Sequence, residues 1–369
     1  EIVFGIDFFT ESQDGQESRD TFFIPGSPGN ASGRPDADAD HLAFYLTDEF
    51  DITEKLTFFT GLRFDTYDTR QTAGGNLNQS DSALSPNVGF DLDLNENLSL
   101  VGRYSKAFTQ PTLNDLYQSG SHFGVVPANG TFIGPLPPPV FFGPDYFEEV
   151  FVENPNLMPE TSDNFELGLH FEDEKFLGGK VVSRLNGFYK RGENTFDSEI
   201  VGSAVTAPFI GVIPGFPGRL TQDFRQVVNR AETEIYGAEF TFDYDAEVWF
   251  AAFAAGSVRG KDLTTGRNLN EIPGDQASLT LGARPTEKLE LGAYGIWNSG
   301  KVNRIDRLNN PNGATGSFDL YGIFASFAPC EDWTLRFGVN NLLDSTYQRT
   351  STLQPEAGRN VFFSSTFYY

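Results

Sequence analysis

The sequence predicts an all-β protein, a transmembrane antiparallel up-and-down β-barrel, and three observations carry that prediction. Fourteen stretches of alternating apolar and polar residues run through the 369-residue chain. The connections between them alternate between short acidic turns and long loops. Phe (37) and Tyr (13) are abundant while Met occurs once, as expected where amphipathic rings line a headgroup boundary. A strand sends successive side chains to opposite faces, so lipid can take one set and a water-filled lumen the other.

The expected strands are 1–11, 41–51, 54–68, 82–94, 97–108, 161–172, 178–193, 226–243, 247–260, 274–285, 288–302, 315–329, 332–344 and 357–369. Trp333, Leu335, Phe337 and Val339 are set against Asp332, Thr334, Arg336 and Asn340. Phe165, Leu167, Leu169 and Phe171 alternate in the same way with Asn164, Glu166, Gly168 and His170. Short turns fall near Asp51–Lys55, Asp93–Asn97, Glu172–Lys180, Tyr244–Glu247, Arg284–Lys288 and Ala328–Asp332. Long segments fall near 12–40, 69–81, 109–160, 194–225, 261–273, 303–314 and 345–356. In outer-membrane barrels the short turns are periplasmic and the long loops extracellular, which puts both chain ends on the periplasmic side.

No run approaches the roughly 20 apolar residues that a membrane helix requires. A barrel strand shows lipid only every second residue, so low overall hydropathy is compatible with a membrane protein. Cys330 is the single cysteine, and neither a disulfide nor a cysteine-based metal site can be built from it. No secretory signal precedes Glu1, and the expectation is that upstream sequence is missing.

The net charge of −25 speaks against nucleic acid as a partner, because phosphate contacts need clustered Lys and Arg. Most of the acidic residues solubilise loops and turns. Asp36, Asp38 and Asp40 have the spacing of a calcium loop, but His41 stands where a Gly is required and Thr47 where the closing Glu belongs. No metal site is assigned. No Gly-x-Ser-x-Gly elbow occurs, and a hydrolase is not expected. The segment from Phe108 to Thr161 is too long for an ordinary connection. Its stiff Leu136-Pro137-Pro138-Pro139 run is accompanied by Phe123, Phe132, Phe141, Phe142, Tyr146, Phe147 and Phe151, too aromatic for a disordered linker.

At this segment a family resemblance becomes specific. Tyr104-Ser105-Lys106-Ala107-Phe108-Thr109-Gln110-Pro111-Thr112-Leu113-Asn114-Asp115-Leu116-Tyr117 resembles the FRAP-PTL-x-E-LY box of TonB-dependent outer-membrane receptors. Asn154-Pro155-Asn156-Leu157-Met158-Pro159-Glu160-Thr161 resembles their NPNL-x-PET box. The segments from Asn229 to Glu239 and from Val339 to Tyr347 are similar to further family boxes. The terminal Phe367-Tyr368-Tyr369 is similar to the signal for barrel insertion. Family barrels have twenty-two strands and an N-terminal plug. Their FRAP box follows the thirteenth strand, whereas here it follows the fifth. The resemblance thus implies one domain over 1–369, the C-terminal part of a receptor barrel whose plug and first eight or so strands lie upstream.

The resemblance also implies function. It points to an outer-membrane receptor, a transporter and not an enzyme, that imports haem, free or from a haemoprotein, with energy from the TonB complex acting through the missing N-terminal region. It is expected to be a monomer surrounded by outer-membrane lipid and lipopolysaccharide. Haem is the expected cargo, not a prosthetic group. The two boxes flanking one loop are best known from haem receptors, where a loop histidine ligates iron; His122 in Gly120-Ser121-His122-Phe123-Gly124 is the candidate. His170 and Tyr117 are secondary candidates. Phe108, Pro111, Thr112, Leu116, Asn154, Pro155, Asn156, Leu157, Pro159 and Glu160 are the motif residues. Thr109 and Gln110 replace the arginine and alanine of the FRAP box, which removes a partner for a haem propionate. A siderophore or other iron-complex receptor is the alternative, and a passive porin or adhesin barrel the alternative from another class.

Overall fold

The computed structural model describes the chain apart from residues 16, 21–29, 34–35, 73–76, 122–125, 128–144, 210–217, 230–231, 270–271, 301–315, 350–355 and 369. Fourteen strands make one antiparallel sheet whose spatial order is chain order, the arrangement an up-and-down barrel wall needs. They are β1 (Ile2–Gln13), β2 (Ala37–Thr53), β3 (Leu56–Gln71), β4 (Asn78–Asn95), β5 (Leu98–Thr109), β6 (Glu160–Phe176) and β7 (Gly179–Glu193). The second half comprises β8 (Glu232–Asp245), β9 (Trp249–Asp262), β10 (Gln276–Thr286), β11 (Leu289–Asn298), β12 (Phe318–Cys330), β13 (Trp333–Asn340) and β14 (Asn360–Phe367).

The short connections use residues that tolerate tight reversal. Between β6 and β7 only Leu177 and Gly178 intervene, both at positive φ (51° and 85°), the backbone that a two-residue hairpin turn demands. The Tyr244 hydroxyl donates to the Leu177 carbonyl at 3.0 Å and ties this turn to β8.

The two faces of the wall differ as alternation requires. Phe4, Ile6, Phe44, Leu46, Leu84, Leu167, Leu281 and Phe337 all project outward and are exposed. Such a continuous apolar belt has no place in water and fits hydrocarbon. On the inner face Arg63 pairs with Asp7 (2.6 Å) and Asp65 (2.9 Å), and Arg284 with Asp245 (2.8 Å) and Glu290 (3.0 Å). Phe250 and Phe324 lie flat over Gly282 and Gly292, where an added Cβ would come within 2.1 and 2.2 Å of the rings. These glycines let aromatic rings cover the inner wall.

Among the described residues β1 pairs only with β2 and β14 only with β13, so the sheet is an open arc. Every residue of β14 is exposed. A free strand edge in hydrocarbon leaves backbone groups unsatisfied at several kcal/mol each.

Two parts of the wall depart from expectation. The β2–β3 hairpin reaches beyond the expected ends, to Ala37 and Gln71, because the Ala37/Ala39 face there is covered from inside by the chain that follows β5. The expected strand 226–243 divides in two. Residues up to Asn229 belong to the strand Gly218–Asn229 of a second sheet, and the wall strand begins only at Glu232.

That second sheet is built from the long connections. Its order is Phe196–Phe209, Gly218–Asn229, Asp145–Val152, Ser119–Ser121, Asn30–Gly33 and Glu17–Asp20, with Val126–Pro127 pairing to Asp145–Val152. Three loops are thereby woven into one structure over one end of the wall. Asp145–Val152 runs parallel to Gly218–Asn229, with Val150 opposite Phe224.

Candidate functional site

The residues after β5 form the hub of the loop structure. A five-residue helix, α1 (Leu113–Tyr117), is too short to persist alone and is held by its cap and by packing. Thr112 is the N-cap: its hydroxyl accepts from the Asp115 amide at 3.2 Å, while the Asp115 carboxylate accepts from the Thr112 amide at 2.9 Å. Pro111 precedes this box, where its missing N–H costs nothing.

Leu113, Leu116 and Tyr117 pack on Ala37 and Ala39 of β2 and on Leu157, and Leu116, Tyr117 and Leu157 are completely buried. Burial of each leucine is worth roughly 1.5–3 kcal/mol. The two sequence boxes therefore meet through Leu116 and Leu157. Hydrogen bonds fix the second box: the Asn154 amide donates to the Leu116 carbonyl at 2.9 Å, and its side chain donates to Val227 O at 2.8 Å. The Asn154 side-chain oxygen accepts from the Asn156 amide at 3.3 Å, so this residue closes the Pro155-containing turn. Gln79 donates to the Leu157 carbonyl, and Asn229 exchanges two hydrogen bonds with Met158 at 2.8 and 2.7 Å. Past Pro159, the Glu160 carboxylate accepts from the Phe196 amide.

The Tyr117 hydroxyl lies 2.8 Å from the Thr69 hydroxyl inside this cluster. Burial raises its pKa, the Thr69 hydrogen bond opposes that rise and the Glu153 charge adds to it. A buried, protonated phenol of this kind is a packing group with no face open to the lumen.

Phe108 is aimed by a departure of β5 from β4. The β4–β5 ladder ends at Asn87 opposite Ser105, next to Pro86, which has no N–H to offer a neighbouring strand. β5 stays paired with β6 as far as Thr109 but swings inward, bringing the Phe108 ring 6.1 Å from that of Tyr67.

Below α1 this inward bend encloses a pocket of about 310 Å³ lined by Asp7, Phe9, His41, Arg63, Phe108 and Gln110, among others. His41 is 7% exposed and stacks on Phe9 with ring centroids 4.1 Å apart. The Gln110 side-chain nitrogen is 2.9 Å from His41 Nδ1. Sequence reasoning passed over His41 for want of a motif. Its signal was the run Ala37, Ala39, His41, Ala43, one histidine in a face of small residues.

His122 lies outside the described residues, but the backbone that leads to it is fixed. Gly120 pairs with Phe151 and with Ser32, and Ser121 with Val150. His170 points into the lumen, opposite Ser99 and Arg184, in a pocket of about 200 Å³ with Asp93 and Glu172. At about 3.3 Å per residue it lies some 33 Å along β6 from Glu160, so the structure does not bring it to the boxes. Asp38 and Asp40 lie on extended β2, and Asp40 pairs with Arg70 at 2.9 Å. No group of metal-ligating side chains occurs among the described residues.

The wall agrees with a comparison of the whole sequence. The family description "TonB dependent receptor-like, beta-barrel" matches residues 1–342. The chain belongs to this family of outer-membrane barrels. It is 27% identical over 323 residues to the Heme/hemopexin utilization protein C of Haemophilus influenzae, covering 86% of this chain and 42% of that protein. It is 24% identical over 368 residues to the Ferric enterobactin receptor PirA of Pseudomonas aeruginosa, covering 93% of this chain and 43% of the relative. The chain thus spans less than half the length of either. The fold is that of the Serratia marcescens hemophore receptor HasR, solved in complex with its hemophore HasA and heme, with a TM-score of 0.69 at 19% identity over 99% of this chain and 55% of that one.

Proposed function

We propose that this chain supplies the wall and capture loops of a receptor that imports haem across the outer membrane. The carrying observation is the docking of the two boxes through Leu116 and Leu157. It anchors both ends of the 110–159 connection and leads the strand Ser119–Ser121 directly to His122. A neutral imidazole in that place suits iron, and the aromatic residues of the same connection suit a porphyrin face. The similarity to a haem utilisation protein supports the same reading.

In this reading the 1–369 barrel portion is continued upstream by further strands and a plug. Those strands would pair the open edges of β1 and β14, and the TonB complex would act through the plug. The woven loops face outward, the short turns and both ends face the periplasm, and the molecule works as a monomer. It is a transporter of haem, delivered free or by a carrier protein, and holds no prosthetic group. The similarity to a ferric enterobactin receptor favours a second reading, uptake of an iron–siderophore complex.

Haem titration of the complete receptor, followed by visible absorption, separates the two. Loss of the Soret shift and of affinity in His122→Ala supports haem ligation. An unchanged spectrum and affinity in that variant removes His122 from the site.

A further inference from the structure

The box from Val339 to Tyr347 lies at the end of β13 and turns the chain back over the inner face of the wall. Asn341, buried and at a positive φ of 50°, makes the turn. Its side chain donates to the Ser345 carbonyl at 2.8 Å and accepts from the Ser345 amide at 2.9 Å. The chain so held lays Tyr347 against Phe318 at the start of β12, with ring centroids 4.9 Å apart. The Arg349 guanidinium then sits over the Tyr347 ring, 5.8 Å from its centroid. A planar cation held on an aromatic face keeps its hydrogen-bond donors at its edge. Arg349 makes no ion pair or hydrogen bond among the described residues, in a chain of net charge −25.

Beside this stack the inner wall is recessed. One row of the ladder reads Glu239, Gly256, Gln276, Asn298, Phe318 across β8 to β12, a width of four strand spacings or roughly 19 Å. It faces the lumen, on the side of Phe250 and Phe324. Gly256 and, in the row below, Ala254 leave a hollow in its middle; a Cβ added at Gly256 would meet nothing nearer than 3.7 Å. The recess holds about 530 Å³, and Arg349 closes one side of it. The side-chain amides of Gln276 and Asn298 line it and hydrogen-bond to no described residue. Glu239, the one acid of the row, stands at the end opposite Phe318. The site thus offers two aromatic rings, one guanidinium beside them, neutral amides and a hollow floor.

We infer that this recess is a binding station for a flat conjugated ring system that carries a carboxylate. The ring body lies over Gly256 against Phe318 and Tyr347. Its carboxylate is taken by Arg349, whose fork of donors matches the two oxygens, and its polar edge meets Gln276 and Asn298. The inference rests on the haem reading of the loops and extends it. The propionate partner that the first box lacks at Thr109 is supplied by Arg349, from the other end of the sheet. This station reads the ring and its acid groups and not the iron, so it is separate from an imidazole at His122.

The test titrates the complete receptor with protoporphyrin IX, which has no iron, and with its dimethyl ester, following the quenching of protein fluorescence. Wild type should hold the free acid roughly tenfold tighter than the ester, as one hydrogen bond to a charged group allows. Arg349→Gln should abolish that preference, and Arg349→Lys should restore it only in part, since an ammonium lacks the fork. Gly256→Leu, which fills the hollow without displacing backbone, should weaken both ligands. Unchanged heat-modifiability on gels verifies that the variants fold. The Soret shift of added haem reports the iron ligand separately. Equal affinity of wild type for acid and ester, or wild-type discrimination by Arg349→Gln, overturns this station, and a haem Soret shift in the same protein leaves the import reading standing. A wild type that binds neither porphyrin nor haem overturns both.

Discussion

The Gln110 side-chain nitrogen lies 2.9 Å from Nδ1 of His41, and this contact joins the first box to the barrel wall. Gln110 stands where the family box carries alanine, so the substitution and its partner explain one another. His41 has its other face on Phe9, which holds the imidazole between a strand of the wall and the incoming chain. Gln110→Ala removes one hydrogen bond to a largely buried ring and should cost about 0.5–1.5 kcal/mol. His41→Ala also loses the stacking on Phe9 and should cost roughly 1–3 kcal/mol. Urea unfolding of the complete receptor measures both. A double variant no worse than His41→Ala alone would confirm that the two residues act through each other.

Leu157→Ala should be among the most damaging changes outside the wall. The side chain is completely buried between Leu116 and the hairpin, and a cavity of that kind costs about 2–5 kcal/mol. The loss is local to the docked loops, so the barrel should survive. Limited proteolysis should therefore cut the 110–159 connection much faster in the variant, while heat-modifiability of the barrel stays unchanged.

Asn154→Ala tests whether the loops act as one body. Its side chain bridges two connections by donating to Val227 O and caps its own turn by accepting from Asn156. Removing it leaves a carbonyl and an amide without partners, at about 1–3 kcal/mol in all. Hydrogen exchange should rise both in 153–158 and in the strand Gly218–Asn229. A rise confined to the first segment would mean that the two loops are held independently.

The wall was legible in the sequence because lipid and water impose a period of two on every strand, visible in Phe165 to Phe171 and in Trp333 to Val339. The boxes were legible as motifs, but their partner was not. Ala37 and Ala39 read as part of an acidic loop, since nothing local reveals that α1 will cover them. His41 was missed for the same reason: its significance comes from Gln110 and Phe9, 69 and 32 residues away in the chain. The second sheet was invisible because it joins strands from three separate loops, and one of its pairings is parallel.

Tyr117 makes the docking of the first box sensitive to alkaline pH. Burial raises its pKa above the ordinary phenol value of about 10. The neutral form is thus favoured when the box is docked. The resulting stabilisation is fully present below about pH 10 and is lost as the pH rises through the higher value of the docked state. Tyr117→Phe keeps the ring, gives up the hydrogen bond to Thr69 and cannot ionise. It should be about 0.5–1.5 kcal/mol less stable near neutral pH, yet insensitive to alkali where wild type weakens. Proteolysis of the 110–159 connection between pH 8 and 11 measures this directly. Parallel curves for wild type and variant would show that the Tyr117 proton is not what the docked state protects.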